Sequence, residues 1–171
     1  MPELEPGTMA PADLNLDLRN PRMPDKRFTR EIDAVEHLVK HAALEELLDS
    51  ITESGWLDYE PLIVLRRDDE LGLDNVVIEG NRRLAALRLL NDGTTANTLK
   101  VSIPHHSTNS NPPMIQVYFV DKRSQARDFI GFKHINGAFK WDSFAKAKFA
   151  AEWLADEPNI DVVSKRLGDS N

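Results

Sequence analysis

The residues best suited to chemistry in this sequence form the run Gly80-Asn81-Arg82-Arg83, which follows a short apolar segment. A glycine between a strand and a helix lets backbone N–H groups approach an anion closely, and the positive end of the helix dipole lies at the same place. Arginine is mildly unfavourable in the first turn of a helix, because its charge meets that positive end. Two arginines there predict an anionic partner. In the alternative interpretation, one arginine pairs with Glu79 or another carboxylate and the other is solvated.

The segments around this run predict that it lies at a junction between a strand and a helix. The short β-branched segments 61–65 and 75–79 are typical of buried strands joined as a hairpin or through a short loop. The Leu- and Ala-rich segment 84–90 indicates a helix, which we expect to end at Asn91-Asp92-Gly93. The predicted order is therefore strand, glycine turn and helix.

Further helices and strands are predicted on both sides of this junction. Apolar residues at three- and four-residue spacings indicate one or two amphipathic helices over 31–54, with Gly55 as the natural end. The other predicted elements are a loop over 94–113, a strand over 115–120 and helices over 124–134 and 141–154. This order predicts the α/β (α+β) class, with a small mixed sheet flanked by helices.

The two ends of the chain are predicted to differ from the middle. Residues 1–30 contain five of the ten prolines, so we expect an extended arm with a turn at Asn20-Pro21-Arg22 and regular structure only after it. Residues 31–137 are the predicted main domain, and 138–171 a helical extension. Within this extension, 160–168 is similar to the first helix and turn of a helix-turn-helix, and we interpret the chain as an N-terminal piece of a longer protein.

The composition is typical of a globular chain with one main core. The 171 residues are 41% apolar and 29% charged, and the net charge is −7. The absence of cysteine excludes disulfides, thiolate metal sites and cysteine nucleophiles. No apolar run approaches the ~20 residues of a membrane span, and the N-terminus lacks a secretory pattern, so we expect no membrane contact and a cytoplasmic location. The acidic balance argues against duplex DNA binding by the whole surface.

Four separated motifs give the sequence a family resemblance. They are Leu18-Arg19-Asn20-Pro21-Arg22, the helical segment 44–55, Glu60-Pro61-Leu62-Ile63-Val64 and Val77-Ile78-Glu79-Gly80-Asn81-Arg82-Arg83-Leu84-Ala85-Ala86. In this order they resemble the N-terminal domain of the ParB partition proteins, and the resemblance runs from about Leu14 to Leu154. It implies a ParB/sulfiredoxin-like fold.

The resemblance also implies a ligand and its effect. In the partition proteins this domain binds CTP with magnesium, and the nucleotide switches a dimer between an open form and a clamp on DNA. The implied partners of this chain are therefore a nucleoside triphosphate, Mg²⁺ as a candidate co-ligand, DNA through a region largely beyond this chain, and a second copy of the chain. The residues implied to contact the nucleotide are Gly80, Asn81, Arg82, Arg83, Asn136 and Arg22.

One departure from the family pattern concerns hydrolysis. The family's Glu-Asn pair, which assists phosphate and metal contacts, is represented here by His134-Ile135-Asn136-Gly137, which keeps the asparagine but lacks the glutamate. We therefore expect nucleotide binding with slow or absent hydrolysis. Sulfiredoxin activity is excluded, because that reaction needs a cysteine next to the glycine.

Two other classes of function remain open. An enzyme on the same fold, such as a free-serine kinase or a nuclease, needs a carboxylate near the phosphates, and its candidates are Glu31, Glu79 and Asp121. The other class is a binding module that uses the scaffold only for protein contacts.

Several further residues are of types that are common in metal-binding or nucleic-acid-binding sites, but we interpret them as structural. We expect His134 to cap a helix or to be exposed, and we expect His105-His106 to be solvated, because these histidines lack other ligands at a chelating spacing. The aromatic and lysine residues near the C-terminus suit nucleic-acid stacking, although core aromatics with a solvated lysine face are the preferred interpretation. These residues are Trp141, Phe144, Phe149, Lys140, Lys146 and Lys148. Trp56 and Tyr59 are interpreted as packing residues.

Overall fold

The computed structural model describes residues 4–23, 28–104, 111–135, 143–156, 158–160 and 163. Within these ranges the chain forms a five-stranded mixed sheet and six α-helices, so the predicted mixed α/β class is confirmed. The predictions for Asn136, for His105-His106 and for Lys140 and Trp141 lie outside the described residues.

The sheet combines parallel and antiparallel pairs. Its strands are β1 (Glu5–Met9), β2 (Asn15–Leu16), β3 (Leu62–Asp68), β4 (Leu73–Glu79) and β5 (Ile115–Val120), in the spatial order β1-β5-β3-β4-β2. The β1/β5 and β3/β4 pairs are antiparallel, and the β3/β5 and β2/β4 pairs are parallel. The central β3 and β4 form the predicted hairpin, whose turn is held by Asp68 Oδ1 accepting from the backbone N–H groups of Glu70 and Leu71.

Helices cover both faces of the sheet. They are α1 (Glu31–His41), α2 (Leu44–Ser54), α3 (Asn81–Asn91), α4 (Gly93–Leu99), α5 (Arg123–Ile135) and α6 (Ser143–Asp156). Alternate residues of β3 enter opposite cores: Leu62 and Val64 pack with α1, α2 and α3, whereas Ile63 packs with α5 and α6. No helix of the described ranges has the length and apolar character of a membrane span.

The N-terminal segment departs from the prediction that regular structure begins after residue 30. Residues 5–9 and 15–16 are strands β1 and β2 of the sheet, joined by a 3₁₀ turn over Pro11–Asp13. Proline is tolerated in β1 because this strand lies at the sheet edge. The predicted turn at Asn20-Pro21-Arg22 is confirmed, since Asn20 Oδ1 accepts from the backbone N–H of Arg22 at 3.0 Å.

The predicted loop over 94–113 is wrong at its beginning, where Gly93–Leu99 forms α4. Asp92 caps this helix by accepting hydrogen bonds from the backbone N–H groups of Thr94 and Thr95. Threonine and glycine are weak helix formers, so their helix propensity predicts a loop. The Asp92 cap and the burial of Ala96 nevertheless stabilise a helix here.

The helical region over 31–54 consists of two helices, which Ala42 and Ala43 separate. Ala43 has a φ of 46°, a left-handed conformation that is uncommon for a residue with a Cβ atom. Gly55 ends α2 as predicted.

Helix α6 contains two of the predicted core aromatics, Phe144 and Phe149, and the structure buries one of them. Ala145, Phe149 and Trp153 are buried, and the rings of Phe149 and Trp153 meet edge to face at 5.8 Å. Phe144 is exposed, so its interpretation as a core residue is wrong, whereas that of Phe149 is confirmed.

Candidate functional site

Gly80 connects β4 to α3 in a conformation that needs glycine. Its φ is +98°, and a Cβ atom placed on it would lie 2.3 Å from Cδ2 of the buried Leu62. Among the described residues no side chain caps α3, and the first N–H groups of a helix have no intrahelical acceptor. The predicted order of strand, glycine turn and helix is therefore present.

Asn81, the first residue of α3, has a buried side chain whose two polar groups both bind backbone. Its Oδ1 accepts from the N–H of Asp17 at 2.9 Å, and its Nδ2 donates to the carbonyl of Val77 at 2.6 Å. This side chain therefore ties the segment after β2 to β4 and α3.

A cleft of about 390 Å³ opens at the N-terminus of α3. This volume lies within the range of small-molecule sites, which is roughly 300–1,000 Å³. Five of the six residues predicted to contact a nucleotide line it, namely Gly80, Asn81, Arg82, Arg83 and Arg22. The sixth, Asn136, lies outside the described residues.

Arg82 and Arg83 each have a buried nitrogen atom that finds no hydrogen-bond partner among the residues that the structure describes. Arg82 donates from Nη2 to the carbonyl of Ala43 at 3.1 Å, but its Nε is unsatisfied. The Arg83 guanidinium lies 5.4 Å from the centroid of the Trp56 ring, and its Nη2 is unsatisfied. Buried side-chain donors usually have a partner, so two such atoms on adjacent arginines are unusual.

The electrostatic environment of the two arginines is set first by burial. Burial lowers the pKa of each guanidinium from its usual value, and carboxylates at longer range, chiefly Glu46 for Arg82 and Glu60 for Arg83, partly oppose this effect. Among the described residues, neither arginine forms an ion pair with Glu79. The interpretation in which Glu79 neutralises one of them is therefore wrong.

Glu79 instead forms a buried cluster with two residues of α5. His134 Nε2 lies 2.6 Å from Glu79 Oε2, and Lys133 Nζ lies 3.0 Å from Glu79 Oε1. Burial raises the pKa of Glu79, but hydrogen bonding to His134 and the charges of His134 and Lys133 outweigh it and hold the pKa at about 2. Glu79 is therefore ionised at neutral pH.

His134 and Lys133 both line the cleft, and sequence reasoning missed their arrangement. His134 is buried, so the prediction that it is exposed is wrong. The partners of Glu79 are about 55 residues away in sequence, so no local pattern links them. The only available signal was the charge of Lys133-His134 near the end of a predicted helix.

Part of the lining of the cleft is apolar. Trp56, Leu57 and Tyr59 belong to this part, together with Leu47 and Ile51 of α2. Trp56 packs against the core, as predicted, and its Nε1 donates to Asp58 Oδ1 at 2.8 Å. Tyr59 is 77% exposed, so its interpretation as a packing residue is wrong.

Two of the three carboxylates considered for catalysis lie elsewhere. Glu31 accepts from Arg88 Nε at 2.6 Å, and Asp121 is an exposed residue 3.4 Å from Arg66. Neither lines the cleft, whereas Glu79 does. In the part of the chain that the structure describes, no group of three His, Asp or Glu residues has the arrangement of a metal site.

A second ionic cluster, with two buried carboxylates, fixes α5 to the sheet. Arg123, the first residue of α5, donates to both carboxylate oxygens of Asp17 at 2.7 and 2.8 Å and to Asp68 at 2.6 Å. Burial raises the pKa of Asp68, but the hydrogen bonds from Arg123 and Leu71 and the positive charges nearby outweigh it and lower the pKa. Since the N–H of Asp17 also binds Asn81, the cluster connects α5 to the start of α3.

The fold and the cleft define a class: a mixed α/β protein with a partly basic cleft at a junction between a strand and a helix. Comparison of the chain with family models, with curated proteins and with solved structures finds no match.

Proposed function

We propose that the cleft binds a nucleoside triphosphate, with its phosphates at the N-terminus of α3. The observation that carries this proposal is the pair of cleft arginines at the start of α3, whose Arg82 Nε and Arg83 Nη2 are buried without a hydrogen-bond partner among the described residues. Unsatisfied donors and the helix dipole both favour an anion at this position. Phosphate oxygens are strong acceptors for guanidinium groups.

The shape and lining of the cleft support a ligand with an apolar part. The ring of Tyr59 is exposed at the rim, and Trp56 and Leu57 lie beside it. Aromatic faces stack on nucleobases without strong base preference. A base stacked on the exposed Tyr59 ring and phosphates near Arg82 and Arg83 would use both the aromatic and the basic residues of the cleft.

The choice of CTP and the wider role rest on the sequence resemblance to ParB partition proteins. We propose a ParB/sulfiredoxin-like fold in which nucleotide binding acts as a conformational switch of a cytoplasmic, DNA-associated homodimer. The position of Arg22 in the cleft wall agrees with that resemblance. The segment 160–168, which supplies the helix-turn-helix similarity, lies mostly outside the described residues.

Magnesium and hydrolysis take a minor place in this proposal. A metal at the site would arrive with the nucleotide, since phosphates supply many of the ligands of magnesium in such complexes. Phosphoryl transfer also needs a group that orients the attacking nucleophile. We therefore expect binding of CTP with turnover slow or absent.

An enzymatic function, such as a free-serine kinase or a nuclease, has one observation in its favour. Glu79 is a buried carboxylate beside Gly80 in the cleft. However, Lys133 and His134 already bind its two oxygens and stabilise the ionised form, which makes it a weak base. Nucleotide binding therefore remains the preferred function.

Replacement of both arginines tests the proposal. Arg82→Ala/Arg83→Ala should weaken CTP binding at least 100-fold, because two charge-assisted contacts of about 1.5–3 kcal/mol each are lost. Calorimetric titration with CTP, ATP and GTP, each with and without magnesium, measures the effect and the base preference.

The matched control is Arg30→Ala, because Arg30 is an exposed arginine that pairs with Asp33 away from the cleft. It should leave the affinity unchanged. Circular dichroism should show that both variants keep their helices. Equal CTP affinity for the double variant and the wild type would refute the assignment of the cleft.

A further inference from the structure

Lys133 is a cation of the cleft that the sequence did not single out. It lies near the end of α5, and its Nζ is 3.0 Å from Glu79 Oε1 and 3.4 Å from Glu60 Oε2. Its side chain is only partly exposed and lines the same cleft as Arg82 and Arg83. Lys133 therefore adds a cation from a different helix to Arg22, Arg82 and Arg83 in the lining of the cleft.

Lys133 and Arg83 face the same two carboxylates. Glu60 and Glu79 both act electrostatically on Arg83, and both contact Lys133 directly. Arg83 belongs to α3 and Lys133 to α5, so the two cations approach the cleft from separate elements. A ligand with several phosphates offers a separate phosphate group to each of these elements.

The two carboxylates hold Lys133 with very different strength. Glu79 is 8% exposed and is also bound by His134, so it is fixed. Glu60 is 51% exposed, and its contact to Lys133 at 3.4 Å is of the exposed kind that contributes little energy. A phosphate oxygen can therefore replace Glu60 at Lys133 without disturbing Glu79.

We infer that Lys133 is a further phosphate-binding residue, which Glu79 holds in position and Glu60 partly neutralises until a polyphosphate displaces the Glu60 carboxylate. This inference rests on the proposed nucleotide function. It assigns opposite roles to two residues in contact: Lys133 strengthens the binding of polyphosphates, and Glu60 weakens it. Affinity therefore depends on the number of phosphates.

Titration of CTP and CMP into Lys133→Gln and Glu60→Gln tests these opposite roles. Lys133→Gln should weaken CTP binding about tenfold, the loss of one charge-assisted contact, and CMP binding much less. Glu60→Gln should tighten CTP binding about threefold, because a competing carboxylate is removed. Lys133→Arg should keep most of the CTP affinity, since it keeps the charge.

The control pair is Lys40→Gln and Glu36→Gln, because Glu36 and Lys40 form an exposed ion pair on α1 outside the cleft. Neither control should change the affinity by more than about twofold. Thermal unfolding of each variant separates loss of a ligand contact from loss of structure.

The outcomes distinguish this inference from the proposed function. If the wild type binds CTP and the Arg82→Ala/Arg83→Ala variant does not, but Lys133→Gln binds CTP normally, the inference is wrong and the function stands. If Lys133→Gln weakens CTP and CMP equally, or Lys133→Arg is as weak as Lys133→Gln, Lys133 has a structural role and the inference is also wrong. If the wild type binds none of CTP, ATP and GTP, both fail.

Discussion

At the scale of single residues, Gly80 shows how a backbone requirement and a ligand site coincide. Gly80→Ala should destabilise the protein by about 2–4 kcal/mol, because a Cβ atom at a φ of +98° is strained and would meet Leu62 at 2.3 Å. Urea unfolding monitored by circular dichroism measures the change.

Gly93 provides the matched control for this prediction. A Cβ atom there meets no atom within 4 Å, and its φ is not in the left-handed region. Gly93→Ala, at the start of α4, should be neutral or slightly stabilising. Equal effects at positions 80 and 93 would contradict the account of the junction.

The charge of Glu79 predicts a dependence of stability on pH. Burial raises the pKa of Glu79, but the interactions with His134 and Lys133 outweigh burial, and the pKa falls from 4.5 to about 2 on folding. A lowered pKa in the folded state contributes stability that is complete above pH 4.5 and is lost as the pH falls towards 2. Glu79→Gln should therefore cost roughly 3 kcal/mol at pH 7, where the ionised carboxylate is the partner that Lys133 and His134 lose.

Urea unfolding of the wild type and Glu79→Gln between pH 7 and pH 3 checks this dependence. The difference in free energy of unfolding should shrink as the pH falls below 4.5. Glu36→Gln, which changes an exposed glutamate, serves as the control and should show a small difference throughout. A difference for Glu79→Gln that stays constant over this range would show that ionisation of Glu79 does not stabilise the fold.

At the scale of secondary-structure elements, α5 is fixed at both ends. Arg123 binds the buried carboxylates of Asp17 and Asp68 at its start, and Lys133 and His134 bind Glu79 near its end. Arg123→Met should cost about 3 kcal/mol, because two buried carboxylates lose their partner. For a chain of this size, the midpoint of thermal unfolding should fall by about 6–12 °C.

Arg67→Met is the control for this element, since Arg67 pairs with Asp74 in an exposed position. Its effect should stay below about 1 kcal/mol. Similar losses for Arg67→Met and Arg123→Met in differential scanning calorimetry would mean that the buried cluster does not stabilise the attachment of α5.

The elements divide by the kind of interaction that stabilises them. The β3/β4 hairpin and α3 were predicted because their apolar pattern and local turn residues specify them. Strands β1 and β2 were missed because they exist only through pairing with β5 and β4, which lie far away in sequence. Pairing of this kind produces little recognisable sequence pattern in strands of only five and two residues.

At the scale of the whole molecule, the net charge of −7 predicts weak binding to duplex DNA. Binding that is independent of DNA sequence comes from lysine and arginine neutralising phosphates. Several arginines of this chain are instead paired with carboxylates, namely Arg19, Arg66, Arg67, Arg88 and Arg123. We expect a dissociation constant above about 10 µM at about 0.15 M salt. Fluorescence anisotropy with a labelled duplex measures it, and sub-micromolar affinity would contradict the prediction.

The mixed α/β class and the position of Gly80, Arg82 and Arg83 at the start of a helix were predictable from the sequence alone. Periodicity, glycine and turn residues are local properties, so they can be read from neighbouring residues. The pairing of Glu79 with His134 and Lys133 rather than with an arginine became visible in the tertiary structure. The same holds for the cleft arginines Arg82 and Arg83, each of which has a buried nitrogen without a partner among the described residues. The physical reason is that ion pairs and burial depend on which distant segments the sheet and helices bring together, and local sequence does not specify those contacts.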